Sequence, residues 1–571
     1  MNICGELVSE PLSRARVIYC PFMLQIVSPN DPFDAIVVGS GATGGWAAKQ
    51  LTEAGLRVAL LEAGRKITPR DFTEHTQTWQ LPYLGNSPKI RRDRPIQGKC
   101  YACRESNQEW FVNDRENPYT QDKPFNWIRM RVLGGRSLSW GRQSYRMSDL
   151  DFKAASHDGY GDDWPISHAD LLPYYERVER YVGISGTAEG LPHLPDSVFL
   201  PGMEMTCGEQ ILKESAKKHF GRTVTIGRAA VLTKNHNGRQ ACHYCGPCEQ
   251  GCATNSYFSS PWTTIADAQK TGRLSLFTDA VASHVVMKDG LAAGIAYIDR
   301  ETRAPREVRA KVIVLCASTL ESTRLLLNSG ICNSSGVLGK YVMDHIYGGG
   351  AAGVMPQIEA KPWAGPPRRP NGIYVPRFRN VSEKSTNGFI RGYGYQGGSS
   401  PAFDFGAPGF GAAYKDAVRK GQWNVNLGLW AECLARKENY VEIDKQRVDA
   451  WGIPILKISA EYGDNEKKLF HDGREQAAQM LEAAGAKNVR MTGQYSVPGF
   501  CIHEVGTARM GNDPKTSVVN GFSQAHDTRN IFVTDGACWV SSGCQNPTLT
   551  MMAITVRTCE YITREYLKAR A

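Results

Sequence analysis

The chain has 571 residues, 42% of them apolar and 22% charged, with 57 glycines and a formal charge of +10. That length is too great for one small core, and the composition is that of a folded, loop-rich protein, so two connected domains are expected and a disordered or fibrous chain is excluded. The basic runs KIRRDR (89–94) and PRRP (367–370) are short and lack interleaved aromatics, which argues against nucleic acid as a partner. No run reaches the ~18 apolar residues needed to span a bilayer, so no transmembrane segment is expected.

Residues 1–30 lack the basic start, long apolar run and small-residue cleavage site of a secretory signal. They read as a tail, with Met23 as an alternative start. The compartment stays open between cytoplasm and export with a partner subunit.

The first strong pattern is DAIVVGSGATGGWAAKQLTEAGLRVALLEAG, Asp34 to Gly64. An apolar strand (Ala35 to Val38) leads into Gly39, Gly41 and Gly44 and then a helix-forming segment. A second strand (Arg57 to Leu61) ends on Glu62, 18 residues beyond Gly44. Gly39 permits a tight turn, Gly41 lets a pyrophosphate approach the backbone, and Gly44 lets helix and strand pack closely. The helix N-terminus offers free N–H groups to phosphate, and Glu62 is placed to accept the ribose hydroxyls. Strand, turn, helix, strand and acid in this order predict dinucleotide binding.

Residues 65–130 show little periodicity and read as excursions covering a cofactor. Gly134 and Gly135, in RMRVLGGRSLSWGRQSYR, allow close backbone approach to a ligand. Residues 242–252 read CHYCGPCEQGC, a C-x2-C-x2-C-x3-C array of Cys242, Cys245, Cys248 and Cys252. Four thiols this close, separated by Gly and Pro, can wrap one inorganic centre. The spacing approaches that of bacterial ferredoxin runs, and an iron–sulfur cluster is the favoured content. Structural zinc and two disulfides remain alternatives. Short strands from Leu274 to Val314 read as a β-hairpin region ending in KVIVLCASTLESTRLLLNSG, which returns the chain to the nucleotide sheet.

The segment from about 345 to 460 reads as an antiparallel sheet, and NEKKLFHDGREQAAQMLEAAG as a helix from Asn465 to Gly485. The C-terminal part contains FCIHEVGTARMG and NIFVTDGACWVSSGCQNPTLTMMAITVRTCEYI. The strand IFVTD ends on Asp535, and Gly536 follows in a turn whose amides can face phosphate. His503 on a strand–loop and Asn546 before Pro547 are residue types that handle a substrate hydroxyl. The expected organisation is a nucleotide-binding domain from 31–190 and 271–344, an insertion with the cysteines at 191–270, a substrate domain at 345–485, and a C-terminal segment at 486–571.

The set VVGSGATGG with LLEAG, VLGGRSLSWG, VIVLCASTLESTRLL, LGKYVMDH, HEVGTARMG and TDGACWVSSGCQNPTLTMMA resembles the glucose–methanol–choline (GMC) oxidoreductases from Asp34 to the C-terminus. The resemblance implies an α/β fold in which a Rossmann-like FAD-binding domain is interleaved with an antiparallel-sheet substrate domain. It implies FAD as the nucleotide, with His503 and Asn546, 43 residues apart, facing the flavin. The NPTLT context is similar to that of the sugar-oxidising members, pyranose oxidases and the flavoprotein subunits of bacterial glucoside 3-dehydrogenases. Ser139, before Trp140, stands where pyranose oxidases often carry a flavin-linking His, so non-covalent FAD is implied. The expected reaction is oxidation of a secondary sugar hydroxyl to a ketone. Electrons then pass through a cluster of 3Fe–4S or 4Fe–4S type to an external acceptor, with a small subunit and a cytochrome or other, quinone-linked electron acceptor as partners. An oxidase using O2 with structural cysteines, a lyase and a non-catalytic electron-transfer or assembly subunit are the rival expectations.

Overall fold

The structure, a computed structural model, describes residues 25–26, 32–85, 89–360 and 369–570. Apart from Gln25–Ile26, a short strand pairing with Arg306 and Glu307, the tail expected over 1–30 and the start at Met23 lie outside the described residues.

A parallel sheet carries the nucleotide pattern. Phe33–Val38 pairs with Val58–Leu61 on one side and with Pro305–Leu315 on the other. Leu274–Phe277 extends it beyond Val58–Leu61, and Ile531–Val533 returns from near the C-terminus to pair with Ile313–Leu315. Ile36, Val37 and the whole VALL strand are buried, which is why both strands read as unbroken apolar runs. Burying each such side chain contributes ~1.5–3 kcal/mol. The 11-residue strand Pro305–Leu315 serves two sheets' worth of partners. Its second half pairs parallel with the nucleotide strands, and its first half pairs antiparallel with Leu291–Asp299. The hairpin expected from Leu274 onward therefore starts later. Leu274–Phe277 is a parallel strand, and Ala280–Lys288 with Leu291–Asp299 forms the hairpin.

A second, six-stranded sheet runs in the order Lys487–Thr492, Ile346–Val354, Gln422–Ala431, Tyr393–Ala402, Ile373–Val375, Thr225–Ile226. Every pairing in it is antiparallel. Two of its strands come from outside the 345–460 stretch, whereas the NYVEID strand, Tyr440–Val448, leaves it to pair with Pro454–Ser459. The helix Asp464–Ala483 buries Leu469, Phe470, Ala477, Met480 and Leu481. It packs closely on the sheet because Gly349 and Gly473 have no side chain: a Cβ on Gly349 would come within 2.2 Å of the Phe470 ring. The C-terminal ends of the parallel strands lead into Gly39, Glu62, Cys316 and Thr534–Asp535, all but Thr534 lining one cavity. Open parallel sheets bind ligands at that edge.

Candidate active site

The cavity is an elongated trough. Glu62 and Ala280–Ser283 line one stretch, Gly39–Thr43 another, and Trp140, His503 and Asn546 a third. Gly39 adopts φ +95°, as the tight turn requires, and a Cβ there would lie 2.4 Å from the Cys316 carbonyl. A Cβ on Gly44 would lie 1.8 Å from the Gly39 carbonyl, so this glycine lets the helix Ala42–Glu53 start against its own turn. Gly41 is different: a Cβ there meets no protein atom within 4 Å, and the residue faces the trough. No side chain caps the amides of that helix's first turn. A glycine facing open space beside uncapped amides fits a pyrophosphate.

Glu62 is buried, with Oε2 accepting from Ser40 N at 3.2 Å and Ser40 Oγ at 2.5 Å, and Oε1 accepting from Gly64 N at 2.8 Å. Burial pushes its pKa above the usual carboxylate value. Gly135, Ser139 and Trp140 line the trough. Gly134 stands behind it, its amide donating to Ser40 Oγ at 2.8 Å, with φ +94°. Asp535 and Gly536 line it too, and Asp535 Oδ1 accepts from the Ala537 amide at 3.0 Å. Burial raises Asp535 to about 6.

His503 sits on a loop organised by one buried carboxylate. Asp344 accepts from the amides of Gly499 (2.7 Å), Cys501 (3.2 Å) and His503 (3.0 Å). Burial and the nearby Glu504 charge raise Asp344 to about 8 against those three donors. The next residue, His345, points at His503, with the two Nδ1 atoms 2.8 Å apart. His345 Nε2 lies 2.5 Å from the Gly543 carbonyl. A carbonyl only accepts, so His345 carries its proton on Nε2. Burial lowers His345 to about 4, so its Nδ1 is bare and accepts the proton on His503 Nδ1. His503 Nε2 is then the bare nitrogen, facing Asn546 Nδ2 at 3.4 Å. Burial, with His345 and Arg136 adding, holds His503 well below the ordinary imidazole value.

Asn546 is oriented in the same way. Gln396 Nε2, on the strand Tyr393–Ala402, donates to Asn546 Oδ1 at 2.8 Å, which turns the Asn546 amide nitrogen toward His503. A bare ring nitrogen and an amide donor thus stand side by side at the mouth of the helix Thr548–Tyr561. Together they can remove a proton from a hydroxyl and hold the oxygen left behind.

Reading residue types in order missed Asp344, His345 and Gln396. Asp344 and His345 are legible only as an acid–base pair at the end of LGKYVMDH, and Gln396 carries no sequence signal.

The sulfurs of the four array cysteines are not bonded to one another. Cys242, Cys248 and Cys252 share an apolar pocket with Met203, Ile226 and Tyr257. Amides donate to two sulfurs at 3.3 Å, Tyr244 N to Cys242 Sγ and Ser256 N to Cys252 Sγ. Among the described residues, no three of the four sulfurs fall within 4.8 Å of one another, a spread wider than one tetrahedral zinc draws together. The array lies behind the trough wall: Arg142 lines the trough and stacks over Tyr257 at 5.5 Å.

Family models described as GMC oxidoreductase match residues 33–347 and 435–555. The chain is 28% identical to a 2-methyl-1,2-propanediol dehydrogenase of Mycolicibacterium austroafricanum, over 94% of this chain and 96% of the relative. It is 26% identical to the fructose dehydrogenase large subunit of Gluconobacter japonicus, over 93% and 97%. In fold it matches the crystal structure of pyridoxine 4-oxidase from Mesorbium loti, with a TM-score of 0.57 at 18% identity, covering 92% of this chain and 98% of that one. The chain belongs to the GMC oxidoreductases and is an FAD-dependent oxidoreductase.

Proposed function

We propose that the protein oxidises a secondary hydroxyl of a sugar or glycoside to a ketone, with the 3-keto product favoured. The observation that carries the chemistry is the fixed protonation chain Gly543–His345–His503, which leaves a bare Nε2 beside the Asn546 amide. His503 Nε2 takes the hydroxyl proton as the carbon-bound hydrogen leaves as hydride. Asn546 Nδ2 donates to the oxygen as it gains charge, and Gln396 keeps that donor turned inward. FAD, when bound, supplies the hydride acceptor.

Gly39, Gly41, Gly44, Glu62, Gly134, Gly135, Ser139, Trp140, Asp535, Gly536 and Asn546 are the proposed FAD-holding residues, the two glycines outside the trough acting by shaping its walls. Ser139 Oγ is engaged with Met130 Sδ at 2.8 Å, in keeping with a non-covalent flavin. The sugar class rests on the motif resemblance and on a relative named fructose dehydrogenase. That relative's designation as a large subunit supports a smaller partner subunit, while a cytochrome or other external electron acceptor rests on the motif resemblance alone.

Cys242, Cys245, Cys248 and Cys252 are the proposed ligand set of an iron–sulfur centre, of which a 3Fe–4S cluster needs only three, and the centre would supply one-electron transfer to that acceptor. Free thiols with amide donors to sulfur support this, since such hydrogen bonds tune clusters. A second reading, oxidation of a small diol, is favoured by the 2-methyl-1,2-propanediol dehydrogenase relative.

Anaerobic visible spectra of the purified protein, before and after adding glucose, a simple glucoside, fructose or 2-methyl-1,2-propanediol, decide among these readings. Bleaching of the flavin bands by a sugar, with a change in underlying iron absorbance, is the expected result. Bleaching by the diol alone overturns the sugar assignment, and a flavin spectrum without iron overturns the cluster.

A further inference from the structure

Among the described residues, one cluster of ligating side chains outside the trough joins two histidines without an assigned role to a thiol of the cysteine array. His75, from the excursion after Glu62, meets His243 and Cys245 from the cysteine loop, and one ligand atom from each lies within 4.8 Å of the other two. The two imidazoles stack with centroids 5.1 Å apart and planes 29° apart. Both histidines are exposed and Cys245 is half-buried, so the cluster opens to solvent.

We infer that His75, His243 and Cys245 form a surface site for a borderline-soft divalent cation of the Zn2+ type. Two imidazoles and a thiolate are the donors such ions prefer, and the open side leaves room for a water or a partner's ligand. The backbone already holds the two segments together. Thr73 N donates to the Gln250 carbonyl at 3.1 Å, and Ala253 N donates to Glu74 Oε1 at 2.6 Å. Glu74, its side chain 2% exposed, also places Oε1 3.8 Å from His75 Nε2. At that distance the carboxylate does not hydrogen-bond the ring, but its negative charge favours a cation held there. The ion would clip the cofactor-covering excursion to the cysteine loop.

The site also divides the array. Cys242, Cys248 and Cys252 share the apolar pocket, whereas Cys245 turns toward the two histidines. The proposal leaves three thiols for the iron centre, and it stands or falls separately from the sugar chemistry because its readout is metal content.

The test titrates the full-length flavoprotein with Zn2+ against a chromophoric chelator, alongside the His75→Ala/His243→Ala double variant. One Zn2+ per chain is expected in addition to any iron. The double variant should bind it at least tenfold more weakly while keeping its flavin absorbance. Zn2+ bound equally by both proteins, or by neither, overturns the site. Should the double variant lose its flavin, Co2+ added to the unaltered protein decides. A tetrahedral spectrum with a thiolate charge-transfer band that disappears in Cys245→Ser supports the site. A spectrum of oxygen-only ligation, or a thiolate band that survives Cys245→Ser, overturns it.

Discussion

His345 and His503 share one hydrogen bond between their Nδ1 atoms, 2.8 Å long, and its direction is fixed from behind by the Gly543 carbonyl. Protons therefore line up one way, from Gly543 outward, and end in a bare His503 Nε2. A neutral imidazole in water exchanges between two tautomers; here one is selected before substrate arrives.

Removing the acceptor behind His503 should release that selection. His345→Leu is expected to lower the rate of anaerobic flavin reduction by about 10²-fold, within the 10²–10⁴ range of a positioned general base. The Gly543 carbonyl loses its donor as well, at ~1–3 kcal/mol of stability. Retained flavin absorbance would show that the variant is folded, and rapid-mixing spectrophotometry would give the rate.

The oxygen-stabilising donor and its anchor predict a graded pair. Asn546→Ala should slow the same step by ~10²–10³-fold, the cost of one lost donor to a developing oxyanion. Gln396→Glu should also slow it, because a carboxylate cannot donate to Asn546 Oδ1 and the amide is free to flip. Gln396→Ala should fall between wild type and Asn546→Ala. Substrate KM should move less than kcat in all three.

Two glycines three residues apart, Gly41 and Gly44, separate folding from binding. Gly44→Ala puts a Cβ 1.8 Å from the Gly39 carbonyl and is expected to prevent soluble expression of a folded protein. Gly41→Ala meets no protein atom within 4 Å, so the chain should fold but hold FAD weakly. Circular dichroism with the flavin-to-protein absorbance ratio distinguishes the two outcomes.

Much of this was legible because it is local. The run from Asp34 to Glu62 encodes strand, turn and helix within neighbouring residues, and Gly39, Gly41 and Gly44 take up the geometry their spacing implies. The expected helix Asn465–Gly485 differs from Asp464–Ala483 only at its ends. What sequence reading missed is long-range. Leu274–Phe277 looks like half of a hairpin, yet it pairs in parallel with a strand more than 200 residues earlier. Gln396 reaches Asn546 across 150 residues, and His345 reaches His503 across 158. Neither pairing leaves a local pattern, and each orients a group that the sequence did suggest.

The ionisation of the base supplies a pH test. An imidazole held well below its ordinary value keeps Nε2 bare until the pH falls through that lowered value. Activity is present above it and lost below it, so the acid limb of kcat/KM should lie well under ~6.5. In His345→Leu the burial that is the main cause of that lowering stays, and the neutral Nδ1 that accepts from the imidazolium is lost, so the limb should move further down. Coincident limbs in the two proteins would mean that the ionisation belongs to another group.

The most direct measurement is the rate constant of anaerobic flavin bleaching in His503→Ala, compared with wild type at saturating substrate. The account predicts a loss of 10²–10⁴-fold with the flavin still bound, as expected when a general base is removed from an otherwise intact site. A His503→Ala protein that bleaches at the wild-type rate would contradict it.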